Sequence, residues 1–94
     1  MIEFDPEKDA ANIAKHGVSL GLADRIDLAG AVIFPDDRRD YGEPRWLAYH
    51  DIGERLHVLV FTERGGTIRA ISLRKANDRE QKFIDTKRGG RSAP

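Results

Sequence analysis

The sequence has no cysteine. That absence excludes disulfides, thiolate metal sites and a cysteine nucleophile, and it fits a reducing compartment. No apolar run approaches the length of a bilayer span, and the N-terminus opens with acids rather than a basic, apolar leader, so a soluble cytoplasmic protein with no membrane partner is expected. Ninety-four residues suit one domain with one modest core, too small to close around a large cofactor, and no cofactor is expected. Net charge is also missing, since 16 Lys and Arg balance 16 Asp and Glu. The balance is uneven along the chain: residues 1–60 carry 7 basic and 12 acidic side chains, residues 61–94 carry 9 and 4. A basic C-terminal third suggests a polyanion partner, and the acidic remainder a basic one.

What is present reads as an α+β domain over residues 1–87, with a disordered basic tail over 88–94. Asp5-Pro6 starts a helix to His16 that Gly17 ends, with Ala10, Ile13 and Ala14 as its apolar stripe. Ser19 caps a second helix to about Leu28, facing Leu20, Ala23 and Ile26 inward. Ala31 to Phe34 is a short strand, followed by the charged loop 35–44 and a strand from Arg45 to Ile52. Leu56–Thr62 and Thr67–Leu73 form a hairpin around Gly65-Gly66, which supply positive φ. A strict period of two puts Ile68, Ala70 and Ser72 on one face and Arg69, Ile71 and Leu73 on the other, which leaves Arg69 and Arg74 on opposite faces. Asn77 or Asp78 caps a last helix anchored by Phe83 and Ile84. The expected architecture is two N-terminal helices, an antiparallel meander of about four strands and a C-terminal helix.

Five stretches in this order carry a resemblance: Phe4-Asp5-Pro6, Asn12 to Val18, Gly42 to Trp46, Phe61 to Gly65, and Ile68 to Ala76. Together they resemble the BrnT family of type II toxins, with departures at Phe4, Pro44 and Leu73. The resemblance implies a RelE-like fold and endoribonuclease activity. It further implies a BrnA-like antitoxin with a ribbon-helix-helix domain, a toxin homodimer within a heterotetramer, and operator DNA bound only through the antitoxin.

Metal-free RNA cleavage needs a base for the 2′-hydroxyl proton, cations for the phosphorane-like charge, and a donor for the leaving oxygen. Glu43 is the first candidate base, Arg64 and Arg74 are candidate catalytic cations, and His50 is a candidate acid or base, with His57 beside it in chemistry. Arg69, Lys75, Arg45 and Lys15 are candidates for the RNA backbone, and Trp46 for base stacking. Each has a plain structural alternative. Glu43 can pair with Arg45 or Arg64, Arg74 can satisfy a carboxylate of the last helix, Trp46 can be core, and His16 can simply cap its helix. Asp36, Asp37 and Asp40 are a metal cluster in composition only, so no metal site is assigned. A different class of function, a catalytically silent partner of the antitoxin acting as co-repressor, remains open. Convergence of Glu43, Arg64, Arg69 and Arg74 on one concave surface separates the two.

Overall fold

A computed structural model describes residues 2–89. The order is α1 (Pro6–His16), two 3-10 turns (Leu20–Arg25 and Leu28–Gly30), β1 (Val32–Pro35), β2 (Trp46–Ile52), β3 (Arg55–Arg64), β4 (Thr67–Lys75) and α2 (Asp78–Lys87). The strands form one antiparallel sheet in the order β1-β2-β3-β4. Among the described residues no helix is long and apolar enough to cross a membrane. The expected tail begins at Arg88, which is ordered: its guanidinium pairs with Asp51 and Asp85. Residues 90–94 lie outside the described residues.

Local chemistry sets most boundaries. The Asp5 carboxylate accepts from the Glu7 amide at 2.8 Å, Pro6 follows it, and Gly17 ends α1 in the left-handed region at φ 73°. Gly65 and Gly66, at φ 57° and 83°, make the two-residue turn between β3 and β4. Asn77 and Glu80 form a complete capping box at the start of α2. The expected second helix is instead two short 3-10 turns. Ser19 and Asp27 each accept from the amide two residues on, so the chain turns twice, with extended Ile26 between. Leu20, Ala23 and Ile26 still point inward.

The sheet is covered on both faces. Over one face the 3-10 turns pack Val18, Leu20, Ala23 and Ile26 onto Ala48, Leu59, Phe61, Ala70 and Leu73. Over the other, α2 packs Ile84 onto Leu56, Val58 and Ala76, while Phe83 stays half exposed beside Phe34. Residues 56–61 of β3 are therefore buried throughout, as a strand with both neighbours and both faces occupied must be.

Two features depart from simple periodicity. A β-bulge falls where Val60 pairs with Ser72 but Phe61 pairs with Ala70, leaving Ile71 as the extra residue. Its consequence is that Ala70 and Leu73 share the 3-10-turn core, so Arg69, Ser72 and Arg74 all fall on the opposite, α2-covered face. The expected separation of Arg69 from Arg74 is thereby overturned.

The second departure is the orientation of α1. Ala10, Ile13 and Ala14, the expected stripe, are exposed, with Ile13 46% exposed; the buried residue is Asn12. Asn12 Nδ2 donates to the carbonyls of Val18 (2.8 Å) and Leu73 (2.7 Å), and its Oδ1 accepts from the Leu73 amide at 3.2 Å. One turn earlier, Asp9 accepts from the Ser19 hydroxyl and the Leu20 amide. Hydrogen bonds to buried backbone, rather than apolar burial, set the face that α1 turns inward.

The loop between β1 and β2 is tied at three points. The Asp36 amide donates to the Arg45 carbonyl at 2.8 Å, buried Thr62 donates to the Pro44 carbonyl at 2.7 Å, and the Asp36 carboxylate takes Nε and Nη2 of Arg38 at 2.7 and 2.8 Å. The Arg38 hydrogen bonds hold the Asp36 carboxyl well below the usual range, at about 2.

Two outcomes follow for stability. Asn12→Ala strands three buried backbone groups and is expected to cost about 3 kcal/mol, whereas Ile13→Ala stays within about 0.5 kcal/mol; urea denaturation of both checks the pair, and equal costs would refute the assignment. Because the folded Asp36 carboxyl titrates below its unfolded value, its contribution is complete above the ordinary aspartate range and is lost as pH falls through about 2. Asp36→Asn should therefore flatten the acid limb of thermal stability between about pH 4 and 2.

Candidate functional site

A groove of about 390 Å³ lies between α1 and the α2-covered face of the sheet. Lys8, Asn12, Lys15 and His16 come from α1, Ile71, Ser72 and Arg74 from β4, Leu47 and Val60 from the sheet floor, and Arg38 from the loop. α1 contributes its residues at helical spacings of three and four, which place them on one side. β4 contributes Ile71 and Ser72 together because both sit at the bulge.

Charge in the groove is positive and of two kinds. Arg74 is gripped end-on by Glu80, Nη1 to Oε1 at 2.8 Å and Nη2 to Oε2 at 2.7 Å. Arg38 is gripped along its side by Asp36, whose own side chain is 1% exposed while that of Arg38 is 63% exposed. Each pairing raises the arginine pKa, first through the carboxylate hydrogen bond. Among the described residues no carboxylate lies within ion-pair distance of Lys8 or Lys15. Burial pushes the His16 imidazole below its ordinary pKa, and the charges of Lys15 and Arg74 push it further. Both influences favour the uncharged imidazole. Tyr49 lies on the same face; burial raises its hydroxyl pKa, and the charges of Glu80, Arg74, Arg38 and Asp36 all reach it.

The residues singled out from the sequence fall in several places. Arg74 and Lys15 line the groove. Glu43 and Arg64 form a separate cluster at the hairpin tip, bidentate at 3.0 and 3.1 Å, with Arg45 Nε at 3.6 Å and the Arg45 guanidinium stacked over Tyr41 at 4.2 Å. Arg64 pairs with Thr67 and Arg74 with Val58, six residues apart along β3, which is about 20 Å. Those two arginines cannot meet one phosphate, so the expected convergence does not occur. Glu43 is in addition held below the ordinary glutamate pKa, chiefly by its hydrogen bond from Arg64, which weakens it as a base.

The remaining candidates lie apart from the groove. Arg69 shares its face but is turned to Glu3 at 3.0 Å. His50 points to the 3-10-turn side of β2, with Nδ1 2.7 Å from the Asp51 carbonyl. Strand alternation puts Lys75 on that side as well. Trp46 packs against the core there and stacks on Phe61 at 5.6 Å, lining a second, apolar depression of about 240 Å³ with Ile33, Phe61, Glu63 and Ile68. His57 is buried, with Nδ1 2.8 Å from the Arg55 carbonyl.

The polar groove residues that the sequence alone does not point to are Lys8, Asn12, Arg38 and Ser72, and for His16 it offers capping beside chemistry. A legible signal existed for α1: Lys8, Asn12, Lys15 and His16 are a polar stripe at spacings of four, three and one. Arg38 and Ser72 had none, because they reach the groove through a folded loop and a bulge.

Comparison with known proteins bears on the family and the fold. The family model described as ribonuclease toxin, BrnT, of type II toxin-antitoxin system matches residues 4–80, a span that includes every groove residue. The chain is similar to the Brucella abortus ribonuclease toxin BrnT, whose crystal structure superposes with a TM-score of 0.65 at 26% identity over 82% of this chain and 96% of that one. No curated protein sequence matches. The extent of the family match and the shared meander with its flanking helices lead to one conclusion: the chain belongs to the BrnT family of ribonuclease toxins of type II toxin-antitoxin systems.

Proposed function

We propose that this chain is a metal-independent endoribonuclease that works in the cytoplasm and stops translation by cutting RNA in the α1 groove. The observation that carries the reading is His16 set beside Lys15 and Arg74 in one concave surface, where burial and those charges lower its pKa. His16 takes the proton of a ribose 2′-hydroxyl as the 2′-oxygen attacks the adjacent phosphorus. The bond from phosphorus to the 5′-oxygen breaks, leaving a 2′,3′-cyclic phosphate and a 5′-hydroxyl. Arg74 and Arg38 meet the added negative charge, and the ammonium groups of Lys8 and Lys15 are the donors for the leaving oxygen.

Metal independence is supported by the donor set. Among the described residues no three His, Asp or Glu side chains are grouped to hold an ion, and the carboxylates at the groove, Asp36 and Glu80, are each committed to an arginine. The hairpin-tip arginines, Arg64 and Arg45, are assigned to RNA backbone flanking the cut. The partner is a BrnA-like ribbon-helix-helix antitoxin, which neutralises the toxin, contacts operator DNA for the pair, and joins two toxin copies in a heterotetramer. The apolar depression around Trp46 offers such a partner a place to bury side chains.

A second reading has one observation in its favour: both groove arginines already carry bidentate carboxylates, so the chain would be a silent co-repressor. Expression of the wild type, His16→Ala, Glu43→Ala and His50→Ala separates the two. We expect wild type to arrest growth and degrade RNA, with purified protein active in EDTA. A folded His16→Ala should lose at least about 100-fold, while Glu43→Ala and His50→Ala keep most activity. Because His16 must be unprotonated, kcat/KM should fall as pH drops through a midpoint below the ordinary histidine value and stay level across neutrality. A folded wild type that spares RNA establishes the co-repressor reading instead.

A further inference from the structure

Each arginine of the groove is held by a carboxylate that the cleavage steps do not use. Asp36 takes Nε and Nη2 of Arg38 through both of its oxygens. Glu80 takes Nη1 and Nη2 of Arg74, and its Oε1 also accepts from the Asn77 amide in the capping box of α2. The two grips differ, and so do the donors they leave. Of the five N–H groups of each guanidinium, the Asp36 grip leaves Arg38 both on Nη1 and one on Nη2, with the Tyr41 hydroxyl within hydrogen-bonding reach of that guanidinium, while Arg74 retains Nε–H and one on Nη2, its second Nη1 hydrogen going to the Lys75 carbonyl. Both residues line the same groove, and the Tyr49 hydroxyl stands within electrostatic reach of both pairs.

We infer that Glu80 and Asp36 are positioning residues: they lock Arg74 and Arg38 so that the remaining guanidinium donors form a preset pair of forks for the phosphate being cleaved. The inference rests on the proposed nuclease reading and deepens it. A free arginine side chain samples many rotamers, and ordering it at the moment of reaction raises the barrier. A carboxylate behind the guanidinium settles that order in advance, as an outer partner orients a ligand in front of it. The anchors are suited to the task. The Asp36 side chain is almost wholly buried, and Glu80 is fixed at the N-terminus of a helix by its own capping bond.

Charge supplies the discriminating signature. If these carboxylates merely neutralise the groove, removing one adds a net positive charge, so RNA should bind more tightly and be cut at least as fast. If they position, RNA binds as well or better while the chemical step slows.

The experiment uses purified full-length protein, a short RNA for single-turnover cleavage and the same sequence with 2′-O-methyl groups for binding. Glu80→Gln is the primary variant, because glutamine still completes the capping box and the helix start is retained. Asp36→Asn is the second, with thermal unfolding followed for both. We expect each variant to bind the uncleavable RNA at least as tightly as wild type, with a salt dependence as steep or steeper, while cleavage at saturating protein falls by about tenfold or more. Cleavage by Glu80→Gln at or above the wild-type rate overturns the inference and leaves the nuclease reading standing. A wild type that neither binds nor cleaves RNA overturns both. Loss of binding together with cleavage also overturns it, since a positioning role predicts that the two separate.

Discussion

The outer edge of β4 is the constraint on which the rest of the structure depends. An edge strand carries unpaired amides and carbonyls that must find partners or water, and left open they invite other strands. Here Glu3 pairs with the first half of that edge through Ile68 and Ala70. The second half is completed by a side chain, since the Asn12 amide bonds both the amide and the carbonyl of Leu73 as a neighbouring strand would. A primary amide has the donor and acceptor needed for that substitution, and no apolar residue does. Because Asn12 must face the sheet, α1 cannot also bury Ile13, and Lys8, Lys15 and His16 are carried to the same side of the helix as Asn12. The groove is a consequence of how the edge is closed.

The bulge at Ile71 has a comparable reach. In a regular strand Arg74 would share a face with Ala70 and Ser72, and Leu73 would point away from them. With one extra residue, Leu73 joins Ala70 in the core beneath the 3-10 turns, and Arg74 emerges on the face where α2 begins. A one-residue change of register moves every later side chain to the other face. Without it the guanidinium of Arg74 would be directed into an aliphatic core, at a cost no single ion pair would offset. The same insertion brings Ser72 and Ile71 together on the groove wall.

The sequence made the skeleton legible because the skeleton is written locally. Asp5-Pro6 and Gly17 bound α1, Gly65-Gly66 sets the hairpin, and Asn77 and Glu80 cap α2. The groove was legible only in part: Arg74 and Lys15 line it, and Glu43, Arg64, His50 and Trp46 are placed elsewhere by the fold. Two physical reasons account for this. A bulge leaves no compositional mark when its extra residue is isoleucine, and helix orientation was read from a narrow apolar stripe when a buried amide outweighed it. Ala10, Ile13 and Ala14 offer little area to bury, whereas three hydrogen bonds to backbone that water cannot reach are costly to forgo.

A chain with zero net charge can still present a cationic groove because its arginines and lysines are used differently. Arg38 and Arg74 are each neutralised by a carboxylate and add almost no net charge. They contribute oriented hydrogen-bond donors, and planar guanidinium suits that task. Lys8 and Lys15 have no such partner among the described residues, so the unbalanced charge of the groove is theirs. Unpaired ammonium groups draw a polyanion in from a distance and release its counterions, an effect that depends on charge and little on geometry. Paired guanidinium groups do the reverse, acting at contact and through direction. Burial, and after it the charges of Lys15 and Arg74, push the His16 pKa below its ordinary value, so the unpaired charge of the groove and a side chain biased toward its uncharged form share one surface.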